Sequence, residues 1–324
     1  MSAQAAPFTF PAPIGGVPFD SDFAPSIIFA IAYGLLTILA IYRVLNPKSR
    51  TLCTLGSVGF VAERVAIYAL RAKQSHTPSE DNDTGLMKYW QTTYAIAHVT
   101  LLNDCTAILR SLLVNTTLAT SPSSYPFTTL GARSGSNESN DLLNRQGEQG
   151  LPQEDRPRAR FWYRQIFGNL GLVAVVPIVL GIIQGVDYNQ ARTDASSATL
   201  VMALRYAATG MVFAHTLFIQ GMAIRGYLKN PRIRRSGALT VAIICAFLDV
   251  VSIYRLAVMW FKTTALTSTE PQSMNTHAEK ATFYIFQAAP EWLAAATIFA
   301  VNVREVFGTG LLGDYRIKDK KSAA

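Results

Sequence analysis

The chain has 324 residues, 50% of them apolar and 15% charged, with a formal net charge of +8 and three cysteines. The apolar runs take up about half of its length and leave no room for a large separate soluble domain. Three cysteines, all inside apolar runs, imply no disulfide framework. The positive charge is split among segments between those runs, which is a topology signal and argues against a nucleic-acid partner.

Residues 1–25 contain no Lys or Arg and read as an extracytoplasmic N-terminal segment. They are not read as a secretory leader, because no basic region precedes the first apolar run and that run is too long. Apolar runs follow at 26–45, 52–71, 90–114, 166–186, 197–222, 237–260 and 281–303. Each is about twenty residues, enough to cross a hydrocarbon core of about 30 Å as a helix. The expected fold is therefore an all-α, seven-transmembrane helix bundle over 26–305.

Arg43, Lys48 and Arg50 follow the first run on the predicted inner side. The third connection, 116–160, is rich in Ser, Gly, Asn and Pro and is expected to be a disordered cytoplasmic loop, either a tether or a docking segment. The stretch "RGYLKNPRIRR" after the fifth run offers Arg232, Arg234 and Arg235 as a cytoplasmic contact for anionic lipid or a signalling partner. Predicted inner segments hold 19 basic residues and outer ones six, so the N-terminus is expected outside and the C-terminus, with a tail at 306–324, in the cytoplasm. Sequons at Asn115 and Asn137 then lie inside and carry no glycan.

Four acids (Glu63, Asp104, Asp249, Glu291) and four arginines (Arg64, Arg110, Arg205, Arg255) fall within the runs. Each costs about 2.5–3.5 kcal/mol at mid-membrane if unpaired. Arg110 and Arg205 lie near span ends, where they can snorkel; the others are expected to pair internally or to line a water-filled cavity. Tyr284, Gln287 and Glu291 share one helical face that Asn302 continues. Gly168, Gly171 and Ala288 are expected to admit close helix packing. Pro290 removes a backbone donor beside Glu291 and opens a kink suited to water or a polar ligand group. Two readings stay open for Glu291, a ligand cavity and a packed ion pair, with Arg255 favoured over Arg64 as partner.

His98 and His215 lie within runs at different depths and are expected to be hydrogen-bonded core residues. A zinc site would need about three His and an acid converging at one place. With no Gly-rich phosphate loop and no nucleophile elbow, no catalytic residue, metal or cofactor is expected, and an enzyme is not the predicted class.

The last third, "VVSIYRLAVMWF" followed by "EKATFYIFQAAPEWLAAATIFAVN", resembles two groups of fungal seven-helix membrane proteins. One is the lipid-translocating exporters of aminocholesterol resistance; the other is the receptor-like proteins likened to family-C G-protein-coupled receptors. The matching positions are Tyr254, Arg255, Glu279, Tyr284, Pro290 and Glu291. The chain lacks the acid that the exporters place after the sixth-helix Arg, near Met259. It also lacks the acid-Arg-aromatic and Asn-Pro-x-x-Tyr motifs of rhodopsin-like receptors.

The resemblance implies a receptor-like protein holding a small or amphipathic ligand between the third, sixth and seventh helices. Such a protein would sit among membrane lipids, at the plasma membrane or an endomembrane, and signal to a partner such as a G protein. A lipid or amphiphile exporter is the alternative, and a structural membrane protein with paired charges the second.

Overall fold

Apolar runs become helices here, and short polar residues set where many of them start. In this computed structural model, which describes residues 8–119 and 154–314, α1 spans Asp20–Leu45, α2 Leu55–Gln74 and α3 Thr84–Asn115. Next come α4 (Pro157–Val173) and α5 (Val175–Val186), one rod interrupted at Ala174, then α6 (Ala195–Lys229) and α7 (Arg235–Val258). The last rod joins α8 (His277–Phe283), a π-turn (Tyr284–Ala288) and α9 (Ala289–Ala300), and a short α10 (Val303–Phe307) follows it. Asp83 caps α3, Asp194 caps α6, and Thr276 with Glu279 forms a capping box on α8.

Among the described residues, five stretches are long and apolar enough to cross a membrane: Asp20–Leu45, Leu52–Gln74, Pro157–Arg192, Ala195–Lys229 and Arg235–Val258. Their outward faces carry large apolar side chains, Ile28, Leu35, Leu172 and Leu228 being 64–72% exposed. Such a surface is costly in water and cheap in lipid, so the chain fits an integral membrane protein. The other two expected spans coincide with α3 and with the interrupted last rod.

The rods pack in a closed circuit: α1 on α2, α2 on α3, α3 on α5, α5 on α6, α6 on α7, α7 on α9, and α9 back on α1. Within that circuit α3 is the central member: it touches α2, α4, α5, α6 and α7, and 20 of its 32 residues are buried. Close approach to α3 comes from Gly185 and Gly181, where an added Cβ would lie 2.0 Å from Thr92 Oγ1 and 3.0 Å from Ala95 Cβ. Gly168 and Gly171 do not serve that purpose: Gly171 meets nothing within 4 Å and Gly168 only Arg110, at 3.9 Å.

Several expected boundaries move. The first helix begins at Asp20, and residues 10–18 of the predicted N-terminal segment form a buried strap across one end of the bundle. Within the predicted loop, 120–153 lie outside the described residues. Arg156 N donates to Thr117 O at 3.0 Å to close the base of that loop, and Pro157 already opens α4. The tail beyond 314 is likewise outside, but its described part folds back on the end opposite the strap. There Leu52 N donates to Leu311 O at 2.8 Å, and Arg164 Nε meets Asp314 Oδ2 at 2.7 Å. The last rod stops at Ala300, so Asn302 does not continue its face; it caps α10 instead.

Candidate functional site

Glu291 and Arg64 face each other at the centre of the bundle. Arg64 Nη2 lies 2.9 Å from Glu291 Oε2, and both side chains are buried. Arg255, favoured as partner from the sequence, instead donates through Nη1 to the Tyr94 carbonyl at 2.6 Å. Depth explains the choice: α2 and the last rod run antiparallel, so Arg64 is level with Glu291 as Arg71, seven residues on, is level with Tyr284. The Arg64 guanidinium also sits 5.0 Å from the Phe60 ring centroid and 5.4 Å from that of Tyr94.

Pro290 shapes this site through the turn before it. Proline cannot donate, and the chain answers with a π-turn in which Ala289 N bonds Tyr284 O, five residues back. Tyr284, Gln287 and Glu291 all remain buried across that turn. Around the ion pair, polar atoms stay without partners among the described residues: Arg64 Nε and Nη1, Glu291 Oε1, both Gln287 side-chain atoms, both His98 ring nitrogens and Arg255 Nε. His98 therefore departs from the hydrogen-bonded role expected for it, whereas His215 Nε2 meets Thr106 Oγ1 at 3.1 Å. Glu63, half-buried, lies within electrostatic reach of Arg64 and Glu291.

The other expected site residues lie apart. Asp104 Oδ2 accepts from Ser57 N at 2.5 Å and Ser57 Oγ at 2.6 Å. Thr54 supplies no side-chain cap to α2, so Asp104 caps that helix from across the bundle. Asp249 is buried on α7 with Oδ1 unpartnered, and Tyr254 stacks on Phe286 at 6.3 Å between centroids. Arg205 does not snorkel. It is buried, and it donates to Gln184 Oε1 at 2.9 Å, Gln91 Oε1 at 2.8 Å and Ala12 O at 2.9 Å. Arg205 thus meets neutral acceptors where snorkelling was expected, and Arg255 donates to a carbonyl where pairing with an acid was expected.

At the opposite end Arg232 Nη1 donates to Glu154 O at 3.1 Å and Arg234 Nη1 to Glu305 O at 2.8 Å; the Arg235 guanidinium lies 5.8 Å from the Tyr227 ring centroid.

A second buried network escaped the sequence reading. Asp22 pairs with Arg71 at 2.8 Å and with Lys280, while Tyr284 Oη donates to Asp22 Oδ1 at 3.0 Å and accepts from Arg71 Nε at 3.0 Å. By sequence, Arg71 and Lys280 are two of the six basic residues assigned to outer segments. The signal was present in their spacing, since Arg71 is two turns from Arg64 and Lys280 one turn from Tyr284 on the same faces.

Comparison with family models, curated proteins and solved structures finds no match. What the site does must be read from its own geometry.

Proposed function

We propose that the chain is a receptor-like integral membrane protein in which all seven rods cross the bilayer, with the strap end outside and the basic end in the cytoplasm. Its central cluster receives a small polar ligand or the head of an amphipathic one. Arg232, Arg234 and Arg235 form the inner surface that meets anionic lipid or a signalling partner such as a G protein. One observation carries this reading: the unfilled hydrogen-bonding capacity around the Arg64–Glu291 pair. Each buried polar group left unmet costs about 1–3 kcal/mol, so water or a ligand's polar group is stabilising there. A ligand that fills those sites in one conformation and not another shifts the population between them.

The test is a thermal-shift screen of the purified protein in nanodiscs against sphingoid bases, small amines and small carboxylates. A hit is expected to lose its stabilising effect in His98→Leu and Gln287→Leu, and to keep it in Arg232→Gln. A hit unchanged by both core substitutions would place the ligand elsewhere.

A lateral groove supports the exporter as the second reading. It has a volume of about 290 Å³ and is lined by Asn103, Asp104, Arg110, Gly168, Gly171 and others between α3 and α4. Cells lacking and overproducing the protein, compared for export of a labelled sphingoid base, separate the two: a rate that tracks expression favours export.

A further inference from the structure

The strap is held in an unusual way. Phe10 to Pro18 is a continuous buried run, yet its only regular pairing among the described residues is the two-residue ladder of Phe10 with Thr263 and Pro11 with Lys262. Beyond it, Ala12 N donates to Phe261 O and Gly16 N to Pro13 O, both at 2.9 Å, and side chains of the bundle meet much of the remaining backbone. Tyr188 Oη donates to Pro11 O at 2.8 Å and Arg205 Nη1 to Ala12 O at 2.9 Å. Gln91 both accepts from Ile14 N at 3.2 Å and donates to Ile14 O at 3.4 Å. Arg71 donates to Gly15 O, Asn275 Oδ1 accepts from Val17 N at 2.8 Å, and Lys280 Nζ donates to Val17 O at 2.6 Å.

These six side chains come from α2, α3, the turn after α5, α6, the connection before α8, and α8 itself, and each is at most 4% exposed. Three of them are cations that each donate to a neutral peptide oxygen, Arg71 and Lys280 doing so beside their pairing with Asp22. The strap's own side chains fill an apolar seat, Phe10 and Val17 packing with Met87, Tyr188, Ala191, Val201 and Leu266. Gly15 and Gly16 turn the strap with φ of +78° and +62°, and a Cβ on Gly16 would lie 2.2 Å from Met274 O. Backbone hydrogen bonds for affinity with pockets for alternate side chains are the means by which proteins bind extended peptides.

We infer that this end of the bundle is a peptide-binding site for an extended segment containing proline and glycine, and that residues 9–18 are its tethered occupant, exchangeable with the same sequence supplied in trans. Arg71 Nη1 stays unpartnered beneath the seated strap, so the site has a donor left for a segment that offers one more acceptor. The inference does not depend on the receptor reading, because it rests on contacts that any role for the central cluster leaves in place.

Gly16→Ala separates site from occupant, since it unseats the strap and leaves every side chain of the site intact. Full-length Gly16→Ala protein in nanodiscs is expected to bind a fluorescent peptide of residues 8–19 saturably, with competition by unlabelled peptide. Wild-type protein, its site filled, is expected to bind at least tenfold more weakly, and the Gly16→Ala peptide not at all. Binding that is absent from folded Gly16→Ala protein, or that unlabelled peptide does not compete, overturns the proposal. Should Gly16→Ala not fold, a dye on exposed Thr9→Cys in the otherwise wild-type chain gives a second readout, the native cysteines all being buried. Excess free peptide is expected to release the strap and change the dye signal, and an unchanged signal under saturating peptide shows a fixed structural element.

Discussion

At Glu291 a buried carboxylate meets one guanidinium, 2.9 Å away, and keeps its second oxygen unpartnered. Removing one member of such a pair strands the other's charge, at about 3–5 kcal/mol, while removing both costs less. Glu291→Gln is therefore expected to lower the unfolding midpoint in detergent, and Arg64→Gln added to it to recover part of the loss. Arg255→Gln is expected to give no recovery, because Arg255 is committed to the Tyr94 carbonyl. Rescue by Arg255→Gln and not by Arg64→Gln would reverse the assignment. Asp104 makes a different case. Because it caps α2, Asp104→Ala is expected to cost about 0.5–2 kcal/mol, whereas Asp104→Asn keeps an acceptor and most of the stability. Thermal unfolding of both variants, in the absence of any ligand, distinguishes a cap from a ligand-binding acid: equal losses in the two would speak against the cap.

Among the elements, the rods were legible and the strap was not. A lipid-facing helix announces itself by a long apolar run, as at 26–45 and 237–260, where α1 and α7 form. "PAPIGGVP" carries no period and reads as loop; it is buried because side chains from six distant elements meet its backbone, and no local pattern encodes that. The same holds for Asp22, Arg71 and Lys280, charged residues outside or at the edge of apolar runs: Asp22 finds Arg71 across 49 positions and Lys280 across 258. Helix starts follow simpler chemistry. Asp194 caps α6, and hydrogen bonds from Ser196 and Ser197 hold its carboxyl down at about 2. A group depressed on folding contributes stability above its unfolded value of about 3.9 and loses that contribution as pH falls toward its folded value. The stability advantage of wild type over Asp194→Ala is expected to be constant from about pH 7 to 5 and to shrink between about pH 4 and 2, as followed by thermal unfolding. An advantage unchanged at the acid end would remove the carboxylate from the cap.

For the whole molecule, topology sets which end a cytoplasmic partner meets, and Asn115 bears on it. Its side-chain amide donates to Phe307 O at 2.9 Å and to Gly308 O at 3.3 Å, a seat that a glycan on that nitrogen would destroy. With the basic end in the cytoplasm neither sequon is glycosylated, so endoglycosidase treatment of protein from a eukaryotic membrane should leave gel mobility unchanged. A shift abolished by Asn137→Gln would invert the proposed orientation. One abolished by Asn115→Gln would also mean that α10 does not pack as described.

The π-turn has a mechanical consequence for the molecule as a whole. It holds one residue more than an α-helix of the same length needs, and it lies between Lys280 and Glu291. Closing it to α geometry would turn one half of the last rod against the other by about 100°, the angle of a single residue. Tyr284, bonded to Arg71, lies within the turn, and Lys280, bonded to the strap, lies before it. Beyond the turn Glu291 is held by Arg64, and the carbonyls of Phe299 and Ala300 are held by Arg43 at 3.1 and 2.9 Å. The rod thus works as a screw with a single thread out of step, its two ends clamped to different parts of the frame. Were the turn to close, an event at the strap would reach the far end as one discrete notch of rotation.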